Sequence, residues 1–352
     1  MFNQSLAEVT CNEHDFISKS IDSIRRYGFC VIKDVLSNDE SVNLFNGITN
    51  TLSYVTSQLP VPFDINNTNT WNTLKSLRPV KGMIFQNWGL GHCQELWNLR
   101  CNQKIIDIFN LLYGYPIGSK ELLVSYDAFS FQCPPEYTGN DDFEINKWYH
   151  YDQSLERQNF ECLQSWIAAT DTYDGDATLA VMIYSHNLHS QIKQIIPGFS
   201  SNGDFVMLNE YIDLFKSFGC IEHRVKCPKG SLVIWDSRLL HYGAKPLKGR
   251  PNHNFRCVAY LSYTPRFLGN EKDIKRKSEI IGKRGSNGYL RTTNHWPHRP
   301  IMFPEIPSRM TKKQIFQIFC RYQILILILN IYILQVNRYL FLEIIFFQMK
   351  HH

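Results

Sequence analysis

No C-x-x-C pair occurs among the ten cysteines of this 352-residue chain, and no tight cluster of them that would build a zinc site. The thiols are expected to be reduced and mostly buried, without disulfides. A basic start followed by an apolar core is missing from the first fifteen residues, MFNQSLAEVTCNEHD, so a reducing cytoplasmic setting is expected. Blocks of like charge are missing too. The 37 Lys+Arg against 32 Asp+Glu leave a surplus of five, too small a bias for a nucleic-acid-binding stripe. No internal repeat is visible. What the chain does have is apolar and aromatic content, 44% and 14%, which excludes a disordered polymer and permits a sizeable core.

Apolar residues Phe16, Ile17, Ile21 and Ile24 stand at helical spacing and stop at Gly28, after which Phe29 to Ile32 read as a short strand. Ser37 with Glu40 three residues on is a capping box, opening a helix through Val42, Leu44, Phe45 and Ile48. Residues 58–70 read as a loop, and 94–113 as one long helix ending near Gly114. Beyond that the texture changes. Segments 121–132, 161–170, 178–184, 231–236 and 255–263 are short, rich in β-branched and aromatic residues, and separated by turn residues. Helices first and strands afterwards predict a mainly β fold with flanking helices (α+β), a largely antiparallel barrel or jelly roll backed by N-terminal helices. At about 310 residues this body suits one domain.

Residues 311–352 differ from everything before them, being mostly Ile, Leu, Phe, Tyr and Val after Gln314. Three readings stand for this tail: a membrane contact through residues 315–347, a packed helix, or an extension produced by an altered reading frame. The stretch 322–342 has a bilayer-spanning length, but the polar and charged residues within it oppose insertion. The tail also holds Lys312, Lys313, Arg321, Arg338 and Lys350 against Glu343 alone, so it carries four of the five surplus charges and the body is nearly neutral.

The chemistry begins at Trp148-Tyr149-His150-Tyr151-Asp152. On a strand, positions i and i+2 share a face, so His150 and Asp152 can serve one ion. Alone the pair is a common accident. A third partner follows the apolar strand 231–236, where Ser237-Arg238-Leu239-Leu240-His241 supplies a second histidine. Two neutral imidazoles and one carboxylate on one face of a metal leave positions open, as in non-haem Fe(II) oxygenases. Downstream, Arg256, Val258 and Tyr260 share a strand face. A buried arginine there needs an anion, and its planar fork matches a carboxylate, which a dicarboxylate co-substrate would supply.

The ordered set of segments resembles the phytanoyl-CoA dioxygenase family of Fe(II)- and 2-oxoglutarate-dependent oxygenases. GFCVIKDVLS at 28–37 is similar to the family's opening strand, and the likeness continues through GDATLAVMIYSHNLH at 175–189, WDSRLLHYG at 235–243 and RCVAYLSYTPR at 256–266. The resemblance implies a double-stranded β-helix (jelly roll, cupin-like), with His150, Asp152 and His241 as metal ligands. Arg256 would hold the distal carboxylate of 2-oxoglutarate, with Trp166 flanking that co-substrate. It further implies Fe(II) as cofactor, O2 as second co-substrate, release of succinate and CO2, and hydroxylation of a small-molecule or lipid substrate. Met182 to His186 depart from the family's Pro-Gly-Ser-His. Arg250 is a rival anchor, set aside because it stands between Gly249 and Pro251 in an expected solvated loop.

Gln153, Ser154 and Gln132 are candidates for contact with substrate, as are Asp127 and Ser130 for lining the cavity. His186 and His189 are expected on a surface loop rather than as a second metal pair. Asn87 to Cys93 lacks the strand and helix around its glycines that a phosphate loop needs and reads as a packing turn. Trp235 and Tyr242 read as barrel core. The contrasting function class is a jelly-roll protein without turnover, a binding or scaffold module tethered by its tail.

Overall fold

In the computed structural model the described residues are 2–86, 90–139, 143, 147–201 and 203–275. The apolar tail, the expected domain boundary near 310 and Asn87 to Gly89 lie outside them.

The helices among the described residues are α1 (Phe16–Tyr27), α2 (Asn38–Thr56), α3 (Gln94–Arg100), α4 (Gln103–Leu112), α5 (Ile192–Ile195) and α6 (Ile212–Ser217), of which α1 and α2 follow the local signals closely. Gly28 ends α1 in the left-handed region at φ 87°, where a side chain would be strained. The capping box at α2 is closed, Ser37 Oγ accepting from Glu40 N at 3.1 Å and Glu40 Oε2 accepting from Ser37 N at 2.7 Å. Such caps contribute about 1 kcal/mol. The single helix expected over 94–113 is instead two. Asn102 breaks it by capping α4 with its own side chain, which accepts from Ile105 N.

Thirteen short strands are present among the described residues. They are β1 (Glu8–Thr10), β2 (Phe29–Lys33), β3 (Ile84–Phe85), β4 (Leu122–Val124), β5 (Phe129–Gln132), β6 (His150–Tyr151) and β7 (Leu163–Ala168), followed by β8 (Thr178–Ile183), β9 (Val206–Met207), β10 (Ile221–Arg224), β11 (Leu232–Asp236), β12 (His241–Ala244) and β13 (Arg256–Pro265). The larger sheet runs β1-β2-β11-β7-β13-β5-β3, with β4 also on β13, and the smaller runs β10-β8-β12-β6-β9. Every pairing is antiparallel except β1 with β2. The two sheets make a mainly antiparallel double-stranded β-helix.

Side-chain alternation sorts the residues into three layers. Cys30, Ile32, Ile167, Ile234, Cys257 and Ala259 face the α2 and α4 side of the larger sheet. Phe29, Val31, Trp166, Val181, Val233, Trp235 and Val258 face inward between the sheets. Tyr149, Tyr151, Met182 and Tyr242 face out from the smaller sheet onto Ile192 and Phe215 of the short helices. This parity decides the site, because His150 and His241 sit one residue from outward tyrosines and so point inward. Nine described cysteines are free thiols. No helix among the described residues is long and apolar enough to cross a membrane.

Candidate metal centre

His150 and His241 are directly paired across β6 and β12, which brings their rings to 4.4 Å between centroids. Asp152 follows two residues after His150, and its backbone N–H donates to Ser237 O at 3.1 Å, tying the turn after β6 to the end of β11. Asp152 Oδ2 lies 3.5 Å from Nε2 of each histidine. One ligand atom from each of the three lies within 4.8 Å of the others, and no other such group of three or more occurs among the described residues.

The histidine tautomers follow from their surroundings. His150 Nδ1 lies 3.0 Å from Trp148 O, and His241 Nδ1 lies 2.9 Å from Leu239 O. A carbonyl oxygen only accepts, so each Nδ1 carries the proton and each Nε2 presents its lone pair to the shared point. Burial, then the neighbouring His150, holds the His241 pKa below its usual value despite Asp152. His241 is thus supplied as a neutral donor. Trp148 stacks on His150 at 4.8 Å with planes 5° apart, Phe205 lies 4.5 Å from the same ring, and Trp235 lies 5.3 Å from the His241 ring. These aromatic contacts fix ring orientation. Two lone pairs and a carboxylate on one side of a point make a donor set suited to a divalent transition metal with positions left open.

Arg256 opens β13 on the inward parity. Its Nε donates to Ser130 Oγ at 3.0 Å, its Nη1 to Ala177 O at 3.2 Å, and its guanidinium lies 5.7 Å from the Trp166 ring. Gln132 stands opposite Arg256 in register, with both amide heavy atoms buried and without a hydrogen-bond partner. Arg250 is elsewhere and already committed: it bonds Glu136 at 2.6 and 2.9 Å and Asp176 at 2.7 Å, with 1% of its side chain exposed. The solvated loop expected for it is therefore corrected to a buried ion network.

Gln153 is fully buried and its amide is spent on the metal turn, donating to Arg157 O and Asn159 O and accepting from Ser237 Oγ. Ser154 opens the next turn, its Oγ accepting from Glu156 N. Asp127 is buried, and the carbonyl of the same residue accepts from the buried Arg100. His186 and His189 are not on the surface as expected. Both are buried, because each bonds a distant carbonyl, His186 that of Arg25 at 3.0 Å and His189 that of Gln153 at 3.1 Å. Gln164 went unnoticed in the sequence. Its Nε2 donates to Asp152 Oδ2 at 2.8 Å, and the only signal was its place two residues before Trp166 on the same strand face.

Two sheets closing over a His-Asp-His cluster define a double-stranded β-helix protein with a candidate metal centre. No family model matches the chain. It is 23% identical over 316 residues to Ava biosynthesis cluster protein O of Aspergillus versicolor, covering 84% of this chain and 93% of that one. Among solved structures it is similar to GIG2 (DUF1479) from Candida albicans, with a TM-score of 0.54 and 13% identity over 95% of this chain and 88% of that one. A weaker likeness, TM-score 0.47 and 14% identity over 71% of this chain and 83% of the other, is to the epimerase SnoN, crystallised with Fe3+, alpha ketoglutarate and nogalamycin RO.

Proposed function

We propose that this chain is an Fe(II)- and 2-oxoglutarate-dependent oxygenase acting on a small molecule. The observation that carries the reading is the convergence of His150 Nε2, His241 Nε2 and Asp152 Oδ2 on one point of the inner wall, with both Nδ1 atoms already engaged. The donor set fits iron, and Arg256 is the cation suited to a 2-oxoacid's distal carboxylate. Arg250 is not, since Glu136 and Asp176 already balance it. Iron so bound supplies reduction of dioxygen coupled to decarboxylation of 2-oxoglutarate, giving succinate, CO2 and an oxidised substrate.

The protein's own residues bind, orient and exclude water. His150, Asp152 and His241 hold one face of the metal. Arg256, set by Ser130 and the Ala177 carbonyl, would orient the co-substrate along the Trp166 face, with Gln132 as a neutral hydrogen-bonding partner beside it. His150 and His241 are themselves buried and the buried Trp235 covers the His241 ring, which limits water there and strengthens polar interactions. The similarity to a biosynthesis cluster protein supports a substrate from small-molecule biosynthesis. The test is succinate formation from 2-oxoglutarate with Fe(II) and ascorbate under air. His150→Ala should abolish it, and undiminished turnover in that variant would refute the triad.

A further inference from the structure

Asp152 is a short side chain on a turn whose main chain is tied by its N–H to Ser237 O, and its carboxylate is aimed by two side-chain torsions. Metal ligands of this kind need an outer partner if they are to present one oxygen in one direction. Gln164 is placed to do this. It is the second residue of β7, with Trp235 of β11 opposite on one side and Ser262 of β13 opposite on the other, so its Cα is fixed by two ladders. From there it donates to Asp152 Oδ2, the same oxygen that faces both histidines.

Two details separate this contact from ordinary packing. The amide orientation has no alternative, because the reversed amide would set two acceptor oxygens against each other at that distance. The other end, Gln164 Oε1, is buried without a partner. A glutamine placed only to satisfy its own polar atoms would not leave its acceptor stranded in the core. The side chain is held for its donor end.

We infer that Gln164 is a positioning residue for the metal centre: its amide occupies one lone-pair direction of Asp152 Oδ2 and keeps the carboxylate a single-oxygen ligand aimed at the point shared by the histidines. The inference rests on the metal-centre reading above. Without the amide Oδ2 loses the donor that fills one of its lone-pair directions, and a carboxylate less restrained to one oxygen would take a metal position otherwise open to co-substrate.

The probe is Co(II) with the full chain, because its visible absorption reports coordination and needs no turnover. Gln164→Met keeps the side chain's length and apolar body while removing the donor. It should weaken Co(II) binding about 10- to 100-fold, in the range usual for loss of an outer partner, and change the visible spectrum. Ser262→Ala, beside Gln164 on the same face, should change neither. If Gln164→Met does not fold, as judged by the unfolding transition of the metal-free protein, Gln164→Asn carries the comparison, its amide being one methylene too short to reach. Wild-type affinity and spectrum in the folded variant would overturn the assignment while leaving the metal centre intact. A wild-type protein whose Co(II) binding does not depend on His150 would overturn the metal centre, and this inference with it.

Discussion

Replacing Arg250 by methionine should cost stability and leave co-substrate binding alone. The arginine is 1% exposed and its guanidinium bonds Glu136 through Nε and Nη2 and Asp176 through Nη1, while Asp176 is itself only 4% exposed and also accepts from Asn254 Nδ2. Removing one partner of such a buried group leaves an uncompensated carboxylate, a loss of about 3–5 kcal/mol. At roughly 2–4 °C per kcal/mol for domains of comparable size, the melting temperature should drop by on the order of 10 °C. Urea unfolding at neutral pH measures this, with a lower midpoint and an unchanged slope expected. Burial raises the Glu136 pKa, but Arg250's hydrogen bonds and charge more than offset that, and the folded value lies below 4.5. This part of the stability is present above pH 4.5 and disappears as pH falls through the folded value, so wild type and variant should converge in acid. In the folded variant, 2-oxoglutarate affinity should match wild type, whereas Arg256→Leu should weaken it at least tenfold with little loss of stability. A loss below 1 kcal/mol in Arg250→Met together with weakened 2-oxoglutarate binding would reverse the two roles.

Acid should destabilise the metal-free protein before its carboxylates titrate. Burial lowers the pKa of His186 and His189, and burial with Lys226 nearby lowers that of His223 to about 4, each from 6.5. The unfolded chain therefore takes up these protons first, and stability present above pH 6.5 should decline as pH falls toward 4. A flat urea midpoint between pH 7 and 5 would contradict this. At Gly230, φ is +80° and an added Cβ would stand 2.5 Å from Leu36 O, the carbonyl side of a segment whose Val35 and Leu36 N–H groups donate to Gly230 O. Gly230→Ala should cost about 1–3 kcal/mol by urea unfolding, and an unchanged midpoint would show that the turn has room.

Elements governed by local chemistry were legible in the sequence: the Gly28 stop, the Ser37 capping box, and the apolar cores of β7, β8, β11 and β13. The second histidine of the candidate cluster was legible because His241 follows a recognisable buried strand, but strand parity does not place Asp152, since β6 ends at Tyr151 and Asp152 sits on the turn after it. What escaped depended on contacts between distant segments. The two-residue strands β3, β6 and β9 are too short to show a period, and β1 pairs in parallel with β2 through residues that carry no pattern of their own. Arg250 looked solvated because Gly249 and Pro251 flank it, yet Glu136 and Asp176 arrive from other parts of the chain. His186 and His189 are buried by carbonyls of Arg25 and Gln153 for the same reason. Gln164 lay on an already recognised strand, but only the fold brings Asp152 within reach of its amide.

The most direct test of the metal centre is anaerobic titration of 2-oxoglutarate into the Fe(II)-loaded protein, followed by calorimetry. One equivalent should bind to wild type, none measurably to His150→Ala, and none to wild type without metal. Binding that persists undiminished without iron, or in His150→Ala, would place the 2-oxoacid somewhere other than beside His150, Asp152 and His241.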